Sequence, residues 1–349
     1  MGSLKFRKSR LINHLKQSRK ECLTGGFTLI ELLVAMIIAA LIITPLLGFM
    51  VDILNSDRKE QAKAQSEQEI KAALNYIAQD LQQAVFIYDN ISLNGGTDGT
   101  TNPPTPYVNL LAQLPSDQIA GVTGCSNSGS DTCTPVLVFW KREIRSDVIP
   151  IGNPTPNCPS AANCDDAYVY SLVGYYLISG NNPNNTWSNQ ARLARFEISD
   201  GVINPTTPLV GGQPNYIINN DAGFSLFSLK GSGNLKQKMN RWTKSTTPYN
   251  DINFGNRVLV DYIDNTAHNL TNTKAAINCN VNGNKEEMVP NTATPKGFYV
   301  CIDSNKNSAR VYIRGNALAR IAKVSIGDQD SFYPTATIQI EGKGFLFNQ

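Results

Sequence analysis

The sequence predicts an α+β fold, one long N-terminal helix packed on an antiparallel β-rich head, and three observations carry that expectation. A basic stretch of 26 residues is followed by residues 27–51, an apolar run whose only ionisable side chain is Glu31. An amphipathic pattern then continues without a break, since neither Gly nor Pro occurs from Phe49 to Asn90. Beyond Tyr88 the pattern changes to short β-type runs between loops rich in Asn, Gly, Pro, Ser and Thr. The 349 residues, 41% hydrophobic and 17% charged, exclude a disordered polyelectrolyte or a coiled coil.

The first segment, residues 1–26, sets seven bases (Lys5, Arg7, Lys8, Arg10, Lys16, Arg19, Lys20) against the single acid Glu21, a charge of +6. The second segment, 27–51, would span roughly 37 Å as a helix, more than the ~30 Å hydrocarbon core. Basic residues ahead of such a run predict a single pass, with a cytoplasmic N-terminus and an exported remainder. An ordinary secretory signal does not fit, because its apolar region would be about 7 to 15 residues long with a small-residue cleavage site after it. A plain signal anchor fits the length but accounts neither for Gly25 and Gly26 at the boundary nor for the carboxylate of Glu31.

An intramembrane carboxylate costs on the order of 2.5 to 3.5 kcal/mol, so Glu31 needs a partner or a protonated state. Pro45 removes a helical hydrogen bond and clashes with the carbonyl of Leu41, and Gly48 follows three residues later. A kink in a packed helix and a locally melted turn both satisfy that pair.

The third segment, 52–88, keeps helical character to about residue 86. Ile70, Ala73, Leu74, Ile77, Leu81 and Val85 recur at spacings of three and four, while Arg58, Lys59, Glu60, Lys63, Glu67, Glu69 and Lys71 take other faces. The fourth, 89–349, is the extracytoplasmic head. Its candidate strands are residues 136–142, 169–178, 192–198, 222–229, 258–263, 298–302, 309–314, 318–326 and 335–340, expected to form a sheet with one face on the helix and the other wet. The long loops 90–106, 152–165, 179–189 and 204–220 resemble insertions on one core.

Seven cysteines occur, and Cys22 lies in the basic segment. The remaining six suit an oxidising compartment, and short spacing favours Cys125 with Cys133, Cys158 with Cys164, and Cys279 with Cys301, one of 15 connectivities. Lys230, Lys236, Lys238, Arg241 and Lys244 gather around Trp242 without acids, a weak patch for DNA or an anionic polysaccharide that reads more readily as a solvated loop. Asp303, Asn305 and Asn307 have the spacing that opens a calcium loop but lack its glycine and distal glutamate.

No cofactor, metal site or catalytic residue is expected. Only His14 and His268 are present, and there is no G-x-S-x-G, H-E-x-x-H or phosphate-binding loop. The formal charge of +3 also misleads: without residues 1–26 the 31 bases and 28 acids become 24 and 27, a charge of −3.

The run Gly26-Phe27-Thr28-Leu29-Ile30-Glu31, between a basic leader and an apolar helix, resembles the prepilin processing site of type IV pilins and type II secretion pseudopilins. The resemblance implies cleavage after Gly26 by a prepilin peptidase and methylation of the new N-terminal Phe27. It further implies pairing of Glu31 with the terminal amine of a neighbouring subunit. Residues 74–84, 173–177 and 192–196 are similar to PilW-like or J-type minor pilins. DLQQAVFIYDN with VYIRGNALARI resembles cyanobacterial pseudopilins of hormogonium polysaccharide secretion.

The family implies as partners other major and minor pilins, an inner-membrane assembly platform with a separate ATPase, and membrane lipid before assembly. It also implies residence in the cytoplasmic membrane and then in a surface filament. Because Glu31 is retained, a position just below the filament tip is expected, with rare incorporation along the shaft as the alternative. A membrane-tethered extracellular module binding DNA or polysaccharide through the pilin export route is the alternative from another class.

Overall fold

The computed structural model describes residues 26–97, 107–116, 119, 121–129, 131–151, 158, 164–180, 186–268, 279, 286–321 and 330–344. The leader up to Gly25, with His14 and Cys22, lies outside them, as do most of loop 152–165 and residues 322–326 of one candidate strand. The chain divides into two units between Asp57 and Arg58. One helix, α1 (Leu29–Gln82), crosses that division over 54 residues and runs unbroken through Pro45. No melted turn is seen there. Thr44 instead turns its hydroxyl onto the Ala40 carbonyl at 2.7 Å, the habit of a hydroxyl in a helix backbone. In the first unit the large apolar side chains from Phe27 to Leu54 are all exposed, and this stretch is long and apolar enough to cross a membrane.

In the second unit α1 buries Ala62, Ser66, Ile70, Ala73, Leu74, Ile77, Ala78, Asp80 and Leu81. The larger aliphatics contribute roughly 1.5–3 kcal/mol each on leaving water. The helix ends four residues before the expected boundary. Residues Ala84–Ile87 form strand β1, with Phe86 opposite Trp140. No Gly or Pro marks the stop. The β-branched and aromatic run AVFI leaves the helix because a strand partner is available, so tertiary pairing outweighs the helical continuation.

Sheet one is antiparallel with order β1, β2 (Thr132–Pro150), β3 (Cys164–Ser179), β4 (Ala191–Ser199) and β5 (Val258–Ile263). Sheet two is also antiparallel, with order β6 (Glu287–Val289), β7 (Phe298–Asp303), β8 (Ser308–Arg314) and β9 (Thr335–Glu341). After β8 the chain meets α1 so closely that a Cβ on Gly315 would lie 2.6 Å from both Ile70 Cδ1 and Ser66 Oγ. Any larger residue would force the Ile70 and Ser66 side chains to move. After β9, Lys343 and Gly344 donate their backbone N–H groups to the Gln82 and Ala84 carbonyls, both at 3.1 Å.

The expectation of a wet outer face fails. Lys141 faces α1, so its neighbour Trp140 points to the opposite side of β2. There Trp140 packs edge-on against Phe224, Phe227 and Trp242, while Tyr176 meets Phe254 and Phe196 meets Tyr249. The segment from Phe224 to Phe254 therefore covers this face. Residues 222–229, expected as a strand, run irregularly, laying Phe224 and Phe227 onto Trp140 of the sheet face while Leu226 stays exposed. Of the candidate strand 318–326, the described part, 318–321, is likewise corrected. Ala317–Arg320 is a 3-10 turn, capped by the Asn316 side chain on the Ala319 N–H.

Three disulfides join Cys125 to Cys133, Cys158 to Cys164 and Cys279 to Cys301. The last closes a 22-residue separation back onto β7. Replacing Cys279 and Cys301 together by serine is expected to cost about 2–4 kcal/mol by freeing the unfolded chain. Denaturant melts of the two proteins check this, and equal midpoints would refute a stabilising role.

Candidate processing and assembly site

The start of α1 is organised by local chemistry. Leu29 is the first helical residue, so Thr28 stands at the cap and Glu31 three residues on. The Glu31 N–H donates to the Thr28 hydroxyl at 3.3 Å, while Glu31 Oε2 accepts from the Thr28 N–H at 3.1 Å and from its hydroxyl at 3.0 Å. This is a capping box, and it satisfies helix donors that would otherwise be orphaned. The T-x-x-E spacing was legible in the sequence, but attention to Glu31 as a charge hid its capping role. The carboxylate thus has neutral donors on its own chain and remains exposed with Phe27, which is 85% accessible. A Cβ placed on Gly26 would meet no other atom within 4 Å. Gly48 is similarly unencumbered.

The other sequence-derived candidates are redistributed by the fold. Trp242 is only 4% exposed and donates its indole N–H to the Ser225 carbonyl at 2.7 Å, so it offers no stacking face to a base or sugar. Lys236 pairs with Asp89, a buried carboxylate that also accepts from the Ser304 hydroxyl at 2.7 Å and from Ser92. Arg241 donates to the Ser232 carbonyl at 2.7 Å, and Lys244 contacts the Ser245 carbonyl at 3.4 Å. Lys230 is exposed and Lys238 half-buried. A patch built around a stacking Trp242 is therefore withdrawn, because the aromatic members of this segment are spent covering sheet one. Asp303 receives the backbone N–H groups of Asn305 and Lys306 across the tight turn between β7 and β8. Among the described residues no group of three or more His, Cys, Asp or Glu side chains could hold a metal ion.

Sequence reasoning missed a buried ionic cluster between α1 and sheet one. Asp80 accepts from Arg195 Nε at 2.8 Å and the Tyr175 hydroxyl at 2.6 Å, with Lys141 Nζ at 3.3 Å. Lys141 also lies 2.7 Å from both Glu143 and Glu197, and Arg195 2.6 Å from Glu197. Burial alone would raise the Asp80 carboxyl, but Arg195, Lys141 and Tyr175 outweigh it and hold the group below its ordinary value. Glu197 is depressed against the same burial by Arg195 and Lys141. Lys141 is raised, its burial being overcome by Glu197, Asp80 and Glu143. The available signal was position: Ala73, Ile77 and Asp80 are spaced by four and three, placing a carboxylate on the buried stripe.

Residues 24–47 match the family described as the prokaryotic N-terminal methylation motif, a span that contains Gly26, Phe27, Thr28, Glu31 and Pro45. No curated protein matches the chain, and no solved structure does.

Proposed function

We propose, from the premise that the methylation motif, the long apolar helix and the disulfide-bearing antiparallel head make this chain a type IV pilin-like protein, that it is a minor pilin or pseudopilin. In this reading a prepilin peptidase cuts after Gly26 and methylates Phe27. The apolar part of α1 then crosses the cytoplasmic membrane once, with the head exported, until the subunit enters a filament of other pilins. The assembly platform and its ATPase are separate proteins.

The observation that carries this reading is the placement of Thr28 and Glu31. A capped carboxylate stands four residues from the future amine of Phe27, at the head of a helix whose large apolar side chains from Leu29 to Leu54 are exposed. The self-cap keeps Glu31 hydrogen-bonded while the subunit waits in lipid, where an unsatisfied charge is costly. Exchange of Thr28 for the cationic amine of a neighbour would then set the register of docking. The large head with its covered sheet and pinned loops suits a subunit present in few copies near a tip.

Mass spectrometry of sheared, purified filaments tests the proposal. A peptide beginning with N-methylated Phe27 is the expected result. Recovery of the chain only in membranes, with the leader attached, would overturn it.

A further inference from the structure

A groove of about 560 Å³ runs along β5 in the second unit, between Glu69 of α1, the Trp187-Ser188 approach to β4, Asp261 and Tyr262 of β5, and Arg320. Its walls are held from behind. The Trp187 indole N–H donates to the Gly255 carbonyl at 3.1 Å, which fixes the plane of the ring. The Asp261 carboxylate accepts the Ser188 N–H at 2.7 Å, the Ser188 hydroxyl at 2.8 Å and the Tyr262 N–H at 2.7 Å, tying the tryptophan loop to the strand. The Arg320 guanidinium lies 4.1 Å from the centre of the Tyr262 ring and is paired with Glu69. Tyr262 itself has φ of 58°, a left-handed conformation that a bulky side chain rarely adopts and that concentrates at ligand clamps.

We infer that this groove binds a neutral oligosaccharide. Aromatic rings take the C–H faces of a sugar, and the fixed carboxylates, hydroxyl and guanidinium supply acceptors and donors for its hydroxyl groups, the usual mix of apolar wall and few oriented polar groups. An extended peptide fits less well. The pairing of β5 with β4 shifts register between Val258 and Val260 and again between Val260 and Ile263. The Tyr262 carbonyl already accepts the Asn316 N–H at 2.7 Å. With Tyr262 left-handed as well, this edge offers no regular ladder for an added strand. An anionic polymer is opposed by Asp261 and by Glu69, to which Arg320 is committed. The inference does not depend on filament assembly, so the two readings fail separately.

The test uses the full chain in lipid nanodiscs, free of sugar detergents, with saturation-transfer NMR against cellotetraose, maltotetraose and chitotetraose. Tetragalacturonate and an uncharged tetrapeptide serve as competitors. Transfer to at least one neutral tetrasaccharide is expected, reduced at least tenfold in Trp187→Ala and in Tyr262→Gly. Glycine adopts the φ of this position freely, so Tyr262→Gly removes the ring without adding backbone strain and decides the matter should Trp187→Ala fail to fold. Absence of transfer to all three sugars, equal binding by folded variants, or preference for the uronate or the peptide would each overturn the inference.

Discussion

With Glu31 replaced by alanine, the chain is expected to be cut after Gly26 as before yet to be at least tenfold depleted from purified filaments. The reasoning rests on what the side chain does in two successive environments. In the single chain its carboxylate is held by the Thr28 N–H and hydroxyl, and in the proposed filament it answers the amine of a neighbouring Phe27. Removing it leaves that amine unpaired among apolar helices, and breaking a buried pair by deleting one partner costs on the order of 3–5 kcal/mol. Alanine also removes a cap, a smaller loss of about 0.5–2 kcal/mol in helix stability. Glu31→Gln separates the two effects, because glutamine at this position sustains a capping box without the charge. Quantitative mass spectrometry of filament and membrane fractions gives both readouts. Normal incorporation of the alanine variant would sink the assembly role, and full rescue by glutamine would assign the effect to capping.

The largest effect on stability is expected at Asp80. Asp80→Ala leaves Lys141, 7% accessible in its side chain, and Arg195 facing α1 without the helix carboxylate they share. The expected loss is roughly 3–5 kcal/mol, a fall in Tm on the order of 10 °C, read by calorimetry of the full chain in detergent. A Tm unchanged within error would show that Glu143 and Glu197 suffice. The same cluster sets a pH limit. Asp80 and Glu197 are depressed in the folded protein, so their contribution is complete above the ordinary carboxylate pKa of about 4 and is lost as pH falls through the lower folded values. Lys141 is raised, so its share is complete at neutral pH and lost only as pH climbs past the ordinary lysine value of about 10. Stability should therefore drop on acidification below pH 4 and much less so in Asp80→Ala.

What was legible in the sequence follows the strength of local signals. The apolar run, the T-x-x-E start and the three-four stripe from Ile70 to Leu81 act within a few residues of one another, and α1 appears where they place it. Strands carrying VLVFW or RLARFEI were equally plain. The end of α1 was not, since β1 exists only because β2 lies beside it, a partner 54 residues away in the Phe86–Trp140 pair. The aromatic cover was hidden for the same reason: Phe224, Phe227 and Trp242 have no periodicity that distinguishes a strand from a chain laid across a sheet. The sequence does carry one signal of a covered face, the unbroken run LVGYYLI at 172–178, because a sheet wet on one side should alternate. At the site, residue types pointed to Gly26, Phe27 and Glu31, whereas the groove beside β5 assembles from four separated stretches that no motif joins.

The return of Lys343 and Gly344 to Gln82 and Ala84 bears on mechanics. The polypeptide leaves α1 for the sheets and comes back, 260 residues later, to the very turn where it left. Force carried along the second half of α1 is shared with the sheets by the buried stripe from Ala62 to Leu81 and the Glu69–Arg320 pair before it reaches this junction. The sheets and disulfides thus lie within a loop of chain that closes on itself at the end of α1. What resists detachment is that stripe together with the Asp80 cluster and the short β1 ladder, so the chain enters and leaves the head at the best-held end of the helix.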